Sequence, residues 1–205
     1  MGEDNLTVTI PAGSIGDRCY TAHWEFDPTI IAALNPTPNV DFLDVSRTDW
    51  FYYDVRYVCE NGLMNGTSGS TFSPLENLTR AQLTAVLYRM DGSPAVSGTC
   101  SFTDAKRGAY YADALVWAER NALVNGYGSG AFGVGDAITR EQLVTILYRY
   151  AAYKGIDVSA RADLSGYRDA EKISGYARDA FGWAVEAGLI RGSGDLLNPQ
   201  GRTTR

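Results

Sequence analysis

Three times in this chain an arginine follows a threonine where a helix begins or is expected to begin: Arg80 in "LTRAQL", Arg140 in "ITREQL" and Arg205 in "TTR". A helix N-terminus already carries partial positive charge from unpaired N–H groups and aligned peptide dipoles, so a cation there works against the local field. A guanidinium beside such N–H groups makes a focused anion site, able to hold a carboxylate or phosphate through two parallel hydrogen bonds. Three further sets of residues recur with it. Trp50, Tyr110 and Tyr176 offer flat apolar faces for a pyranose ring, and Asp44, Asp104 and Asp169 can accept bonds from sugar hydroxyls. Gly66, Gly126 and Gly192 would let a ligand approach the backbone closely. The same residues also have architectural readings, with the aromatics in a core, the aspartates capping the first helix or its lead-in turn, and the glycines serving turns.

Catalytic and metal chemistry find little support. The single histidine is His23, outside the recurring segments, and there is no HExxH, GxSxG or calcium loop of alternating Asp and Asn. "GSGAFG", Gly128 to Gly133, matches G-x-G-x-x-G but follows a helix and not a strand, so no dinucleotide site is expected. Cys19, Cys59 and Cys100 lack metal-ligand spacing; Cys59 with Cys100 as a disulfide, or all as free thiols, both stay open. No cofactor, no metal and no enzymatic activity are expected. A net charge of −6 argues against a general nucleic-acid or anionic-membrane binder, although a local cationic pocket remains compatible with it. No apolar run reaches the 18 or so residues a membrane span needs, and the N-terminus lacks a basic region followed by an apolar core.

The elements that must position these residues emerge from self-similarity. Asp44 answers Asp104, Gly66 answers Gly126, Phe72 answers Phe132, Arg80 answers Arg140 and Tyr88 answers Tyr148, always 60 residues apart (44 to 104, 88 to 148). A third copy begins at "YRDAEKIS", with Asp169, Tyr176, Trp183, Gly192 and Arg205 at offsets of 65 or 66 from the second. Each unit reads as helix, Gly/Ser-rich loop, helix. Phe51, Val55 and Val58, mirrored by Tyr111, Leu115 and Ala118, give the first helix its apolar stripe. Leu83, Val86, Leu87 and Met90, mirrored by Leu143, Ile146, Leu147 and Tyr150, give the second its core face. Thr79 with Gln82, and Thr139 with Gln142, form capping boxes that start the second helices. The third unit stops at Arg205 and is expected to lack its second helix.

The pattern "F-x-D-V … ENGLMNG … FSP … LTRAQ … LYR" resembles the S-layer homology domain family over residues 42 to 205. The resemblance implies a mainly α fold: tandem helix-loop-helix repeats in pseudo-threefold arrangement around a central helical bundle. It divides the chain into repeats at 41–92, 100–153 and 163–205, the last truncated. Residues 1–40, with "NLTVTI" reading as a strand, are expected to be the tail of a preceding β-rich domain or a linker. It further implies non-covalent anchoring of an exported protein to the bacterial cell surface through an anionic, pyruvylated secondary cell-wall polysaccharide. Arg80, Arg140 and Arg205 would meet the acidic group, with the aromatic and glycine positions lining grooves between repeats. Where the family motif usually has glutamate, this chain has Gln82 and Gln142. The alternative is a helical repeat scaffold that binds a protein partner or peptidoglycan.

Overall fold

Five α-helices and two single 3-10 turns make up the regular structure of residues 41–205, the part the computed structural model describes. The strand-like segment and tail expected within residues 1–40, with Cys19 and His23, lie outside the described residues. The first helices of the three units are α1 (Tyr52–Glu60), α3 (Ala112–Arg120) and α5 (Arg178–Glu186), each of nine residues. The second helices of the first two units are α2 (Arg80–Met90) and α4 (Arg140–Tyr153). In the third unit, Ala170–Lys172 and Gly175–Ala177 form the 3-10 turns leading into α5.

Local chemistry accounts for the helix boundaries. The Thr79 hydroxyl accepts from the Gln82 N–H at 3.2 Å while the Gln82 side chain accepts from the Thr79 N–H at 2.8 Å, and Thr139 with Gln142 repeats this at 3.2 and 3.1 Å. Such caps contribute about 1 kcal/mol each. The first helices end where the Asn61 and Asn121 amides donate to carbonyls four residues back, each at 2.8 Å. The next residue turns left-handed. It is Gly62 at φ 64° and Gly188 at φ 68°, but in the second unit Ala122 adopts φ 54° with a side chain that disfavours it.

The three units close into a ring. Just before each Thr-Arg motif, a short extended segment forms an antiparallel bridge with its neighbours: Thr79 with Ala137, Thr139 with Arg202, and Asn77 with Thr204. The Ile138 N–H donates to Leu78 O at 2.9 Å, that of Thr203 to Ile138 O at 3.3 Å, and that of Leu78 to Thr203 O at 2.8 Å. This cycle is the pseudo-threefold arrangement in backbone form. Around it, each second helix packs on the first helix of the following unit, α2 on α3 and α4 on α5. Tyr88 meets Trp117 and Tyr148 meets Trp183, both with ring centroids 5.7 Å apart.

Helix α1 has no such partner among the described residues. It buries only Val55, and Tyr57, at the position of the buried Trp117 and Trp183, is 61% exposed, with Trp50 and Tyr53 exposed beside it. Met90 also departs from the expected core stripe: it is the last residue of α2 and is exposed, whereas Tyr150 packs on Trp117 at 6.2 Å because α4 runs on to Tyr153. Cys59 and Cys100 are both free thiols.

Candidate functional site

Each unit first builds a rigid loop and then receives an arginine into it. The recurring aspartates do the building. Asp44 accepts from the N–H groups of Phe72 (2.8 Å) and Ser73 (2.7 Å), and Asp169 from those of Leu197 (2.8 Å) and Asn198 (2.7 Å). Asp104 accepts from three, those of Phe132 (2.7 Å), Gly133 (2.8 Å) and Val134 (2.9 Å). Burial raises each carboxyl's pKa, but the backbone donors outweigh it and hold all three below the ordinary value. Both oxygens of each carboxylate are thereby engaged by the protein's own loop. The architectural alternative, a cap on the first helix, is not what these aspartates form: they clamp the loop ahead of the second helix, 28 residues on.

The recurring glycines answer a question of space. None of Gly66, Gly126 and Gly192 has positive φ. A Cβ on Gly66 would lie 2.5 Å from the Phe42 ring and from Thr71 O; on Gly126, 2.9 Å from Phe102 and 2.8 Å from Ala131 O; on Gly192, 2.7 Å from Tyr167 and 2.9 Å from Leu196 O. The aromatic ring that opens each unit therefore lies close against this backbone, and in the first two units it also packs on the clamped residue: Phe42 on Phe72 at 5.4 Å and Phe102 on Phe132 at 5.1 Å.

Into that loop comes the arginine of the preceding unit. Arg80 donates from Nε to Phe132 O and from Nη2 to Asn125 O, both at 2.8 Å. Arg140 makes the same pair of bonds to Leu197 O and Arg191 O at 2.8 Å. Arg205 returns to the first unit, reaching Phe72 O at 3.1 Å and Asn65 O at 2.8 Å. The guanidinium of Arg80 also lies 4.4 Å from the Phe132 ring centre and 5.0 Å from that of Tyr127, and that of Arg205 lies 5.0 Å from Phe72. The helix-terminal N–H groups expected to share an anion with the arginine are occupied: those of Arg80, Arg140 and Glu141 donate to Asp136 O, Gly201 O and Pro199 O of the adjoining unit. Each arginine thus joins one unit to the next. Burial lowers the pKa of all three, yet guanidinium remains cationic at neutral pH.

No ion pair forms at any of the three among the described residues. Arg80 is only 5% exposed, a burial at which an unpaired charge is costly. Its environment is a groove of 310 Å³ lined by Arg80 of the first unit, the Asn125–Tyr127 loop and α4 of the second, and Tyr176 of the third. An equivalent groove of 430 Å³ brings together Arg205 of the third unit, the Asn65–Thr67 loop and α2 of the first, and Tyr110 of the second. Tyr110 and Tyr176 expose more than half their surface there. Trp50, their counterpart, is 85% exposed just ahead of α1, and the helix that would complete a third groove with Arg140 and Gly192 is not among the described residues.

The sequence reading missed two groove arginines, Arg89 and Arg149, which line the same two cavities from α2 and α4. Their signal was the repeated "LYR", 60 residues apart. "GSGAFG" is part of an irregular loop that begins no helix and follows no strand.

Sequence comparison agrees with this architecture. The model of the S-layer homology domain matches residues 41–84, 101–144 and 166–205, and the chain belongs to that family. It is 33% identical to an endoglucanase of Bacillus sp. (strain KSM-635) over 80% of this chain and 17% of that protein. It is 26% identical to the surface-layer 125 kDa protein of Lysinibacillus sphaericus, over 74% of this chain and 13% of that one. Against the cellulosome-anchoring protein of Acetivibrio thermocellus it is 26% identical over 69% of this chain and 32% of that one. The chain therefore spans only a minor part of the curated relatives it matches.

Proposed function

We propose that this module, a cell-surface element by its family, anchors a longer exported polypeptide to the wall by gripping an anionic secondary cell-wall polysaccharide in the grooves between units. The observation that carries this reading is the buried Arg80, without a carboxylate partner among the described residues, at the wall of a groove with an exposed tyrosine across from it. An acidic sugar would neutralise the arginine while its ring covers the Tyr176 or Tyr110 face. In this reading Arg80, Arg140 and Arg205 supply the charge and Trp50, Tyr110 and Tyr176 the apolar faces. Gly66, Gly126 and Gly192 let the aromatic ring that opens each unit pack against the groove loop, and Asp44, Asp104 and Asp169 hold the loops in shape. The relatives named as endoglucanase, surface-layer and cellulosome-anchoring proteins support a common tethering role for different cargoes.

The test is co-sedimentation with purified sacculi before and after acid removes the secondary polysaccharide. Binding should disappear on stripping. Binding that survives favours peptidoglycan or a protein receptor, a reading the exposed aromatic face of α1 also fits.

A further inference from the structure

We propose that each groove is a two-cation site made for two negative charges, with Arg149 acting beside Arg80 and Arg89 beside Arg205. This rests on the reading of the grooves as acidic-glycan sites and specifies the charge of what they take. The members of each pair come from different units yet dock on the same short stretch of backbone. Arg205 donates to Asn65 O, and Arg89 to Leu63 O, both at 2.8 Å. Arg80 donates to Asn125 O at 2.8 Å, and Arg149 to Leu123 O at 3.5 Å.

Among the described residues, the four arginines in these positions have no carboxylate within ion-pair distance. The ion pairs that do form engage Arg56, Lys154, Arg161 and Arg168, away from the grooves. Among the described residues no acidic side chain lines either groove, although Asp136 and Glu141 lie behind the Arg80 groove, bonded to Tyr127 and Tyr176, and the capping position that faces into each is neutral, Gln82 in one and Gln142 in the other. A helix-dipole role explains only one of the second arginines. Arg89 lies in the last turn of α2, but Arg149 lies a full turn before the end of α4, and both keep the same place in the groove. What the two share is the cavity, not the helix end. Two like charges facing one half-enclosed space repel, and an occupant carrying two negative charges relieves both. One dianionic group or two neighbouring carboxylates would satisfy this chemistry.

The experiment titrates the whole chain with acetate, malonate and inorganic phosphate at pH 8 and constant ionic strength, following the arginine Nε–H and tyrosine signals of each groove by NMR. Malonate or phosphate should bind at least tenfold more tightly than acetate. Preference for phosphate alone assigns a single dianionic group, and preference for malonate as well assigns two carboxylates. Arg149→Gln should abolish the preference in the Arg80 groove and leave it in the Arg205 groove. Gln142→Glu, which keeps the capping box, should do the same and excludes misfolding as the cause. Equal affinities in the unmodified chain, or a preference unchanged in both variants, would overturn the two-cation site while leaving sacculus binding to decide the glycan reading. A dianion preference combined with binding to stripped sacculi would overturn only the glycan reading.

Discussion

The groove at Arg80 and the groove at Arg205 share one frame but differ in how firmly their walls are held. Around Arg80, Tyr127 covers the guanidinium and donates to Asp136 at 3.0 Å. Tyr176 donates to the buried Glu141 at 2.8 Å, and Glu141 also accepts from the Ser174 N–H and hydroxyl at 3.1 and 3.0 Å. Burial first, and then the Glu141 bond, push the Tyr176 phenol well above its ordinary pKa. Around Arg205 the corresponding positions are Thr67 and Ala81, so neither brace exists, and Arg205 is only half-buried. One site is fixed before any ligand arrives; the other has the same charges on a looser wall. A rigid site loses less freedom on binding, so equal contacts should yield higher affinity at Arg80.

The largest effects are expected at the glycines. Gly126→Ala and Gly66→Ala each drive a methyl into an aromatic ring and a loop carbonyl, and each should cost about 3 kcal/mol in urea unfolding. Similar losses would show that the frame is common to both grooves; a loss confined to one would show that it is not. Asp104→Asn should cost about 2 kcal/mol, more than Asp44→Asn, because three N–H groups rather than two lose an ionised acceptor.

The same substitution tests the pH dependence. A carboxyl whose folded pKa lies below its unfolded value of about 3.9 contributes its full stability above that pH and loses it as pH falls through the folded pKa. Asp104→Asn should therefore flatten the acid limb of a stability–pH curve and leave its shape above pH 5 unchanged. Glu141→Gln should lower the Tyr176 phenol part of the way in an ultraviolet titration, because burial, the larger cause, remains, with about 1 kcal/mol lost and no effect on the Arg205 groove. The smallest change has the opposite sign: Ala122→Gly, which gives the second unit the residue that ends α1 and α5, should stabilise by about 1 kcal/mol in thermal unfolding.

What was legible in the sequence was local or periodic. The 60-residue offset located the units, and Thr79 with Gln82 located a helix start to the residue because both partners lie within one turn. The destinations of long side chains were hidden. Nothing near Asp104 reveals that its acceptors will face Phe132, and nothing near Arg80 reveals that it enters the following unit instead of staying beside its own helix end. Both depend on which units become neighbours, which the ring decides. Met90 was misread for the same reason, since periodicity says which face an element buries but not how far the burial continues.

The ring also orders events in time. Two of its joins link consecutive units, but the third ties Arg205 to Phe72 and Asn65, 133 and 140 residues back along the chain. Each doubling of a loop adds only about 0.6 kcal/mol to closure, so the last join is little weaker than the others once made, but contacts so distant form slowly. The module should assemble as an open chain of units and latch late, and under load the same seam should be the first to part.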